Sequence, residues 1–309
     1  MTGYRSILVV LLLVAGGVCR GPRTASAQPA PDRVITTADV QPLARFDDAT
    51  ALAIDPAGRL YVTDAGPDAV VQLAANGTVE ARYGGPGTQP GAFDAPADLD
   101  ATNGLAIYVA DAGNSRIQRF ARAFQFLEAL PVGAPSGTTA RPTYDRQTAL
   151  ADATGTPIAV AVSDTDELYV IDAAERQVVR WGPRRRAAQA IGGFDAGPGA
   201  LREPAALALG SDGRLFVADR ARDAIVVFDA FGTWITTFAE GLAADAQALH
   251  VADDTLWLVG PDAVQHVSPT GRLDGRWSVR LGAPLVDAVQ HTGRTYFLTP
   301  ERLFVLLAS

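Results

Sequence analysis

Few residues of this sequence have side chains that could carry out chemistry. The candidates are three histidines, His250, His266 and His291, and three aspartates in apolar segments, Asp98, Asp100 and Asp287. Imidazole and carboxylate groups transfer protons or bind divalent ions when they converge on one point. The sequence contains no HExxH, GxSxG or phosphate-binding glycine motif, so any chemistry depends on how the fold places these side chains.

The first 27 residues predict an export signal. Arg5 precedes the apolar run ILVVLLLVAGGVC, and small residues follow at Ala25 to Ala27. The apolar run is too short to cross a bilayer comfortably as a helix, although a retained membrane anchor is the alternative. We therefore expect cleavage before Gln28 and a periplasmic or extracellular protein. Cleavage removes Cys19, the only cysteine, so the mature chain would have no disulfide and no thiol nucleophile.

Charge limits the kinds of partner. Loss of Arg5, Arg20 and Arg23 with the signal takes the formal net charge from −8 to −11. Such a surface opposes nonspecific binding to nucleic acid or to anionic membranes. We expect a monomer without a membrane span in the mature chain, whose partner is a protein, a peptide or a glycan. No cofactor is expected.

A sequence motif that predicts two strands joined by a polar turn recurs along the chain. It is YVTDAGPDAVVQL at 61, YVADAGNSRIQRF at 108, YVIDAAERQVVRW at 169 and FVADRARDAIVVF at 216. The aspartates that end its first strand are Asp64, Asp111, Asp172 and Asp219, and weaker copies place Gly260 and Thr299 at the same point. Six copies of this length are typical of propellers, in which each four-stranded sheet is one blade.

Each copy contains four segments with strand character. An inner segment such as ATALAID or PAALALG precedes a tight turn, and the recurring motif and an outer segment such as GTWITTFAE follow. Apolar residues lie on both faces of these segments, as expected when each sheet packs between two neighbours. The sequence thus predicts an all-β fold, a six-bladed β-propeller of four-stranded antiparallel blades, in preference to a β-sandwich.

The chain resembles the NHL-repeat family from about residue 48 to 309. The resemblance rests on DAGNSRIQRF and on the segments Gly84–Asp100, GGPGTQPGAFDAPADLD, and Gly197–Asp219, GPGALREPAALALGSDGRLFVAD. It implies a six-bladed propeller whose faces bind partners more often than they catalyse reactions. The Asn-x-Arg-Ile turn of that family is complete only at Asn114, Arg116 and Ile117.

The recurring aspartates are predicted to be structural. Each ends a strand, where its carboxylate can accept hydrogen bonds from backbone N–H groups of the following turn. We therefore interpret Asp64, Asp111, Asp172 and Asp219 as corner residues of successive blades. Four similar carboxylates spread around a ring do not form a metal cluster.

Closure of the ring requires a strand from elsewhere in the chain. The last copy ends at Ser309 after its third segment, so we assign residues 33–46, RVITTADVQPLARF, as its fourth strand. This pairing would remove two exposed sheet edges. The mature chain, 28–309, is then a single propeller domain that follows a cleaved signal over 1–27.

A long loop distinguishes one face of the predicted propeller. Residues 131–154 are rich in Pro, Gly and Thr and join blade two to blade three on the face of the aspartate turns. Long loops of compact domains are usually functional or disordered. The candidate binding residues on this face are Asn114, Arg116, Arg141, Tyr144 and Arg146, since Arg and Tyr are common binding anchors.

Two functions are consistent with these features. We expect a non-enzymatic binding or scaffold propeller of the bacterial envelope, or a secreted one, that engages its partner on the looped face. The alternative is a metal-dependent hydrolase, lactonase or lyase with Ca²⁺ or another divalent ion in the channel. His250 is the channel candidate, because it occupies an inner segment where other copies have alanine; no catalytic residue and no set of metal ligands is identified.

Overall fold

The structure is a computed structural model that describes residues 32–133, 153–185 and 188–307. The N-terminal strands are β1 (Arg33–Thr36) and β2 (Val40–Arg45). Blades one and two contain β3 (Ala49–Ile54), β4 (Leu60–Asp64), β5 (Ala69–Leu73), β6 (Val79–Gly84), β7 (Pro96–Asp100), β8 (Ala106–Asp111), β9 (Arg116–Ala121) and β10 (Phe126–Pro131). Blades three and four contain β11 (Pro157–Val162), β12 (Leu168–Asp172), β13 (Gln177–Trp181), β14 (Ala188–Ile191), β15 (Pro204–Leu209), β16 (Leu215–Asp219), β17 (Ala224–Phe228) and β18 (Trp234–Phe238).

The last two blades complete the ring. They contain β19 (Ala248–Ala252), β20 (Thr255–Val259), β21 (Ala263–Val267), β22 (Leu273–Arg280), β23 (Asp287–His291), β24 (Arg294–Thr299) and β25 (Arg302–Leu306). Short 3-10 helices cover Ala112–Asn114, Gly197–Gly199 and Arg220–Arg222. The all-β, six-bladed propeller predicted from the repeats is confirmed. Within the described residues, no helix is long and apolar enough to cross a membrane.

The N-terminal segment closes the ring, but it divides between two blades. Strand β2 pairs antiparallel with β25 as the fourth strand of blade six, with Val40 opposite Leu306. Strand β1 instead lies parallel to β22 and adds a fifth strand to blade five. The turn between β1 and β2 is held by the Asp39 carboxylate, which accepts hydrogen bonds from the Thr36 N–H and hydroxyl at 2.8 Å each. Only the β2 part of the assigned 33–46 segment therefore completes blade six.

The hydrophobic core is distributed among the interfaces between blades. Six clusters of buried apolar residues occur, and each joins two adjacent blades around the ring. At the closure between blades six and one, Leu52 and Val62 of blade one pack with Leu298 of blade six. Every blade thus buries both of its faces, as expected from the apolar residues on both sides of the strands.

The recurring aspartates hold the connections between blades. Their side chains are almost completely buried, and each lies beside the start of the inner strand of its own blade, as Asp64 lies opposite Ala49. The Asp64 carboxylate accepts the Asp48 N–H at 2.8 Å, and Asp219 accepts the Arg202 N–H at 2.7 Å. Asp111 and Asp172 likewise accept N–H groups 16–17 residues upstream, from Asp94 and Thr156.

These donors differ from the expected ones. The sequence analysis assigned the carboxylates to the turn that follows each aspartate, and such bonds occur at Ala174 and Arg222. The bonds found at all four aspartates instead come from the chain that arrives from the preceding blade. The reason is the antiparallel pairing, which brings the end of the second strand against the start of the first. Each aspartate therefore attaches an incoming connection to its blade.

We expect Val40→Asp to destabilise the protein much more than Gln41→Asp on the same strand. Val40 is buried against Phe297 and Phe304, whereas Gln41 is exposed. Loss of a buried valine costs roughly 1.5–3 kcal/mol, and burial of an unpaired charge adds to this. Thermal unfolding should show a melting temperature several degrees lower for Val40→Asp only. Equal melting temperatures would mean that packing of β2 does not hold the ring closed.

Candidate ligand site in the central channel

The strand register makes positions on the six inner strands comparable. One residue on each inner strand pairs with the residue just before the recurring aspartate or its equivalent. We call these six positions the first ring level: Ala51, Asp98, Ala159, Ala206, Ala248 and Asp287. The residues two places later form the second ring level: Ala53, Asp100, Ala161, Ala208, His250 and Val289.

Most positions of the two ring levels are alanine. Four positions depart from this pattern with polar side chains, namely Asp98 and Asp100 on blade two, His250 on blade five and Asp287 on blade six. We refer to these four residues as the channel polar set. Since the other ring positions hold alanine or valine, packing alone does not require these side chains.

Three members of the channel polar set bind backbone groups of the next blade. Asp98 accepts the N–H of Val160 at 2.7 Å, and Asp100 accepts the N–H of Val162 at 2.8 Å. Asp287 accepts the N–H of Leu52 at 2.9 Å. Val160 and Leu52 each follow the first-level residue of their strand, so Asp98 and Asp287 make equivalent contacts at two places in the ring.

His250 is fixed by a carboxylate of the neighbouring blade. Its Nε2 atom lies 2.6 Å from Oδ1 of Asp287, while Oδ2 of Asp287 accepts the Leu52 N–H. This chain of hydrogen bonds joins blades five, six and one. The imidazole is about one-third exposed, whereas Asp287 is buried. His250 is therefore neither a packed core histidine nor an isolated ligand, because an ordered partner orients its ring.

The channel contains a cavity of about 930 Å³ that all six inner strands line. Its lining also includes His291 at the end of β23 and residues of the turns that follow the inner strands, among them Asp55, Asp164 and Asp253. These turns lie at the ends of the inner strands opposite to the recurring aspartates. The cavity therefore reaches the face opposite to the one predicted to bind a partner.

Burial changes the acid–base properties of the channel polar set. It raises the pKa of Asp98 to about 7, although the hydrogen bond from Val160 acts in the opposite direction. Burial also raises the pKa of Asp100. For His250, burial opposes protonation, but the attraction of Asp287 and of the two aspartates on blade two outweighs it and raises the pKa. Groups that titrate near neutral pH in a cleft are frequent at functional sites.

The described residues do not offer a metal site. None of their histidine, aspartate and glutamate side chains form a group of three that could hold a metal ion. In the channel, Asp98 and Asp100 direct carboxylate oxygens to backbone N–H groups, and Asp287 also binds His250.

The other two histidines lie outside the channel polar set. His266 is buried between Trp257 and Trp277, with ring centroids 4.7 and 4.6 Å away, and burial lowers the pKa of its imidazole to about 4. His291 ends β23 at the cavity mouth. Among the described residues, these histidines do not form a group that could hold a metal ion.

The structure describes two of the candidate binding residues on the aspartate-turn face, Asn114 and Arg116. The side chains of both make hydrogen bonds within the protein. Arg116 is buried, and its guanidinium donates to Asp111 at 2.7 Å, to the Thr88 carbonyl at 2.6 Å and to the Ala92 carbonyl at 2.9 Å. The Asn114 amide donates to the Asp111 carboxylate at 3.0 Å. The Arg116 donors are thus used by Asp111 and by the connection that arrives from blade one.

The remaining candidates cannot be placed in the same way. Arg141, Tyr144 and Arg146 lie outside the described residues. The described ends of the 131–154 loop meet at its base, where the Gly155 N–H donates to the Val132 carbonyl at 3.0 Å. The loop therefore leaves and re-enters the propeller at one point of the aspartate-turn face.

Sequence reasoning found one member of the channel polar set and undervalued three. It singled out His250 and noted Asp98, Asp100 and Asp287 only as residues near inner strands. Alignment of the six inner segments on the recurring aspartate would have put Asp98 and Asp287 at one position. The sequence thus marks these positions by polar residues where other copies have alanine. It does not show their contacts, because those contacts join blades that are distant in sequence.

Comparison with protein families agrees with the fold. The family model of the NHL repeat matches residues 93–120, which span β7, β8 and most of β9. This match, together with the six blades, supports an NHL-repeat β-propeller.

Solved structures with the same fold include enzymes. One is a catalytically inactive virginiamycin B lyase from Staphylococcus aureus with quinupristin, at 12% identity and a TM-score of 0.61, over 87% of this chain and 98% of that one. Another is a gluconolactonase from Xanthomonas campestris, at 16% identity and a TM-score of 0.64, over 90% and 95% of the two chains. At such identities the similarity shows the fold alone. A comparison of the sequence with curated proteins gives no match.

We expect Arg116→Ala to weaken the fold. The substitution leaves the buried Asp111 carboxylate without its ion pair, and loss of one partner of a buried pair costs about 3–5 kcal/mol. Arg122→Ala is the matched control, because Arg122 is exposed on the same blade and should change stability by less than about 0.5 kcal/mol. Chemical denaturation measures both. Equal unfolding free energies for the two variants would contradict a stabilising role of Arg116 and would favour a role in binding a partner at the surface.

We expect the Asp98 carboxyl to titrate near pH 7. Because the pKa is raised in the folded state, folding favours the protonated form of Asp98. This contribution to the free energy of unfolding is complete below about pH 4 and is lost as the pH rises through about 7. Asp98→Asn stays neutral and retains an oxygen for the Val160 N–H. The melting temperature of the variant should therefore rise relative to the parent between pH 5 and 8. A carboxyl titration by NMR with a midpoint below pH 5 would contradict this.

Proposed function

We propose that the protein binds a small ligand in its central channel without transforming it. The observation that carries this proposal is the channel polar set, four polar side chains at ring positions that are otherwise alanine or valine. A concave cavity with a few convergent polar groups is the usual form of a small-molecule site. The cavity volume of about 930 Å³ falls in the range of roughly 300–1,000 Å³ for such sites.

The proposal narrows the expected partner. A cavity of this size accommodates a small molecule, a short glycan or the end of a peptide, but not a folded domain. The proposal also takes the channel, and not the looped face, as the leading site, because the polar groups of Asn114 and Arg116 already bind Asp111 and the connection from blade one. All six inner strands come from one chain, so a monomer suffices for binding.

A second candidate function is a hydrolase or lyase. It is favoured by the His250–Asp287 hydrogen bond of 2.6 Å, because a carboxylate that fixes an imidazole in a cavity is the arrangement of an oriented general base. The similar lyase and lactonase structures support the fold only. Hydrolysis or elimination of a channel ligand that disappears in His250→Ala, with binding retained, would favour this candidate.

The leading proposal can be tested by replacing channel residues with alanine, the residue found at the equivalent positions of other blades. We expect a variant with Asp98→Ala and His250→Ala to fold, since alanine is accommodated at the equivalent positions of other blades. Small molecules from an extract of the producing cells would be incubated with the purified mature protein and identified by mass spectrometry after denaturation. The parent protein should retain a molecule whose dissociation constant rises at least tenfold in the variant.

Two control variants make the result specific. Asp195→Ala removes an exposed aspartate away from the cavity lining and should retain the molecule. Deletion of residues 134–152 removes most of the predicted partner loop and should also retain it, since Gly133 and Gly155 already lie in contact. Loss of binding on loop deletion, with the channel variant unaffected, would instead favour the looped face.

We further propose that the protein acts outside the cytoplasm. This rests on the export signal predicted in the first 27 residues. Sequencing of the mature N-terminus tests it, with Gln28 expected as the first residue and a chain that begins before Arg5 as the contrary result.

A further inference from the structure

The cavity has a one-sided charge. Eight carboxylate residues line it, three in the ring levels and the others in the surrounding turns, such as Asp164 and Asp253. The sequence has 26 basic residues, all of them arginine, yet none is among the residues that line the cavity in the described part of the chain. Walls of low polarity around charges of one sign focus the electric field in such a cleft. Carboxylates far outnumber the two histidines of the lining, His250 and His291, so the cavity disfavours an anionic ligand.

The cavity is also divided between polar and apolar walls. Blades three and four contribute small apolar residues at both ring levels, namely Ala159, Ala161, Ala206 and Ala208. The channel polar set lies on blades two, five and six. A ligand that fills the cavity therefore contacts polar groups at one side and aliphatic surface at the other.

One carboxylate of the channel polar set is placed to meet a ligand. Asp100 and Asp287 are buried, whereas Asp98 is partly exposed to the cavity. Each Asp98 oxygen accepts one backbone N–H, from Leu99 at 2.8 Å and from Val160 at 2.7 Å. A carboxylate has about four acceptor positions, so Asp98 can accept further hydrogen bonds from a ligand.

We propose that the channel ligand carries a protonated amine or guanidinium group, which binds Asp98, on an apolar body that lies against blades three and four. This inference rests on the proposed channel-binding function and specifies the chemistry of its ligand. Charge-assisted hydrogen bonds to a carboxylate are stronger than neutral ones, so the head group selects the ligand. The aliphatic wall adds affinity in proportion to the apolar area that it buries.

Three probes of equal chain length test this ligand class on the full mature protein. They are hexylammonium, 1-hexanol and hexanoate, and their dissociation constants at pH 8 would be measured by calorimetry or NMR. We expect hexylammonium to bind at least tenfold more tightly than hexanol, and hexanoate to bind least. Asp98→Asn should weaken hexylammonium about tenfold and leave hexanol unchanged, because the amide still accepts the Val160 N–H. Asp195→Asn is the surface control and should change neither constant.

The outcomes separate the ligand class from the channel site. Equal binding of hexylammonium and hexanol, with both weakened by enlargement of Ala208 to Leu in the apolar wall, would overturn the cationic head group and leave the channel site intact. Tighter binding of hexanoate than of hexylammonium would likewise overturn the cationic head group and leave the channel site intact. If no probe binds, or if Asp98→Asn and Ala208→Leu change no constant, both the ligand class and the channel site are wrong. Retention of fold in each variant is checked by thermal unfolding.

Discussion

The packing of each blade between two neighbours is the interaction on which the rest of the molecule depends. A four-stranded sheet with two apolar faces is not stable alone in water, because both faces would be exposed. Here six apolar clusters join the six blades in a closed ring. A ring of this kind is complete only when its last interface forms. Strand β2 matters for that reason, since it comes from the start of the chain, pairs with β25 and finishes blade six.

Closure also creates the channel and sets what its walls can contain. Near the axis the inner strands approach one another, and most ring positions are alanine. An aspartate or histidine there is costly unless its polar atoms have partners, because burial of an unpaired polar group is unfavourable. The carboxylates of Asp98 and Asp287 meet this condition by accepting N–H groups of the next blade, at Val160 and Leu52. The polar side chains are thus compatible with the ring, and Asp98 keeps acceptor capacity towards the cavity.

The sequence predicted the features that repeat and missed those that join distant segments. Six copies and the corner aspartates are visible because each blade makes the same turn. The contact of Asp98 with Val160 spans 62 residues and that of Asp287 with Leu52 spans 235, so no local pattern announces either. The contacts of Arg116 are non-local in the same way. Its turn suggests an exposed side chain, but the connection from blade one passes over it and supplies the Thr88 and Ala92 carbonyls that bury it.

The two faces of the propeller therefore serve different purposes. On the aspartate-turn face, carboxylates such as Asp111 and Asp219 are buried and bound to the incoming connections, so a change there acts first on the stability of a blade. In the channel, the equivalent positions of other blades show that alanine suffices for the fold. A side chain that the fold does not need, placed where it meets a cavity, is free to be chosen for its chemistry. The repeated architecture can thus keep its shape while its axial residues vary.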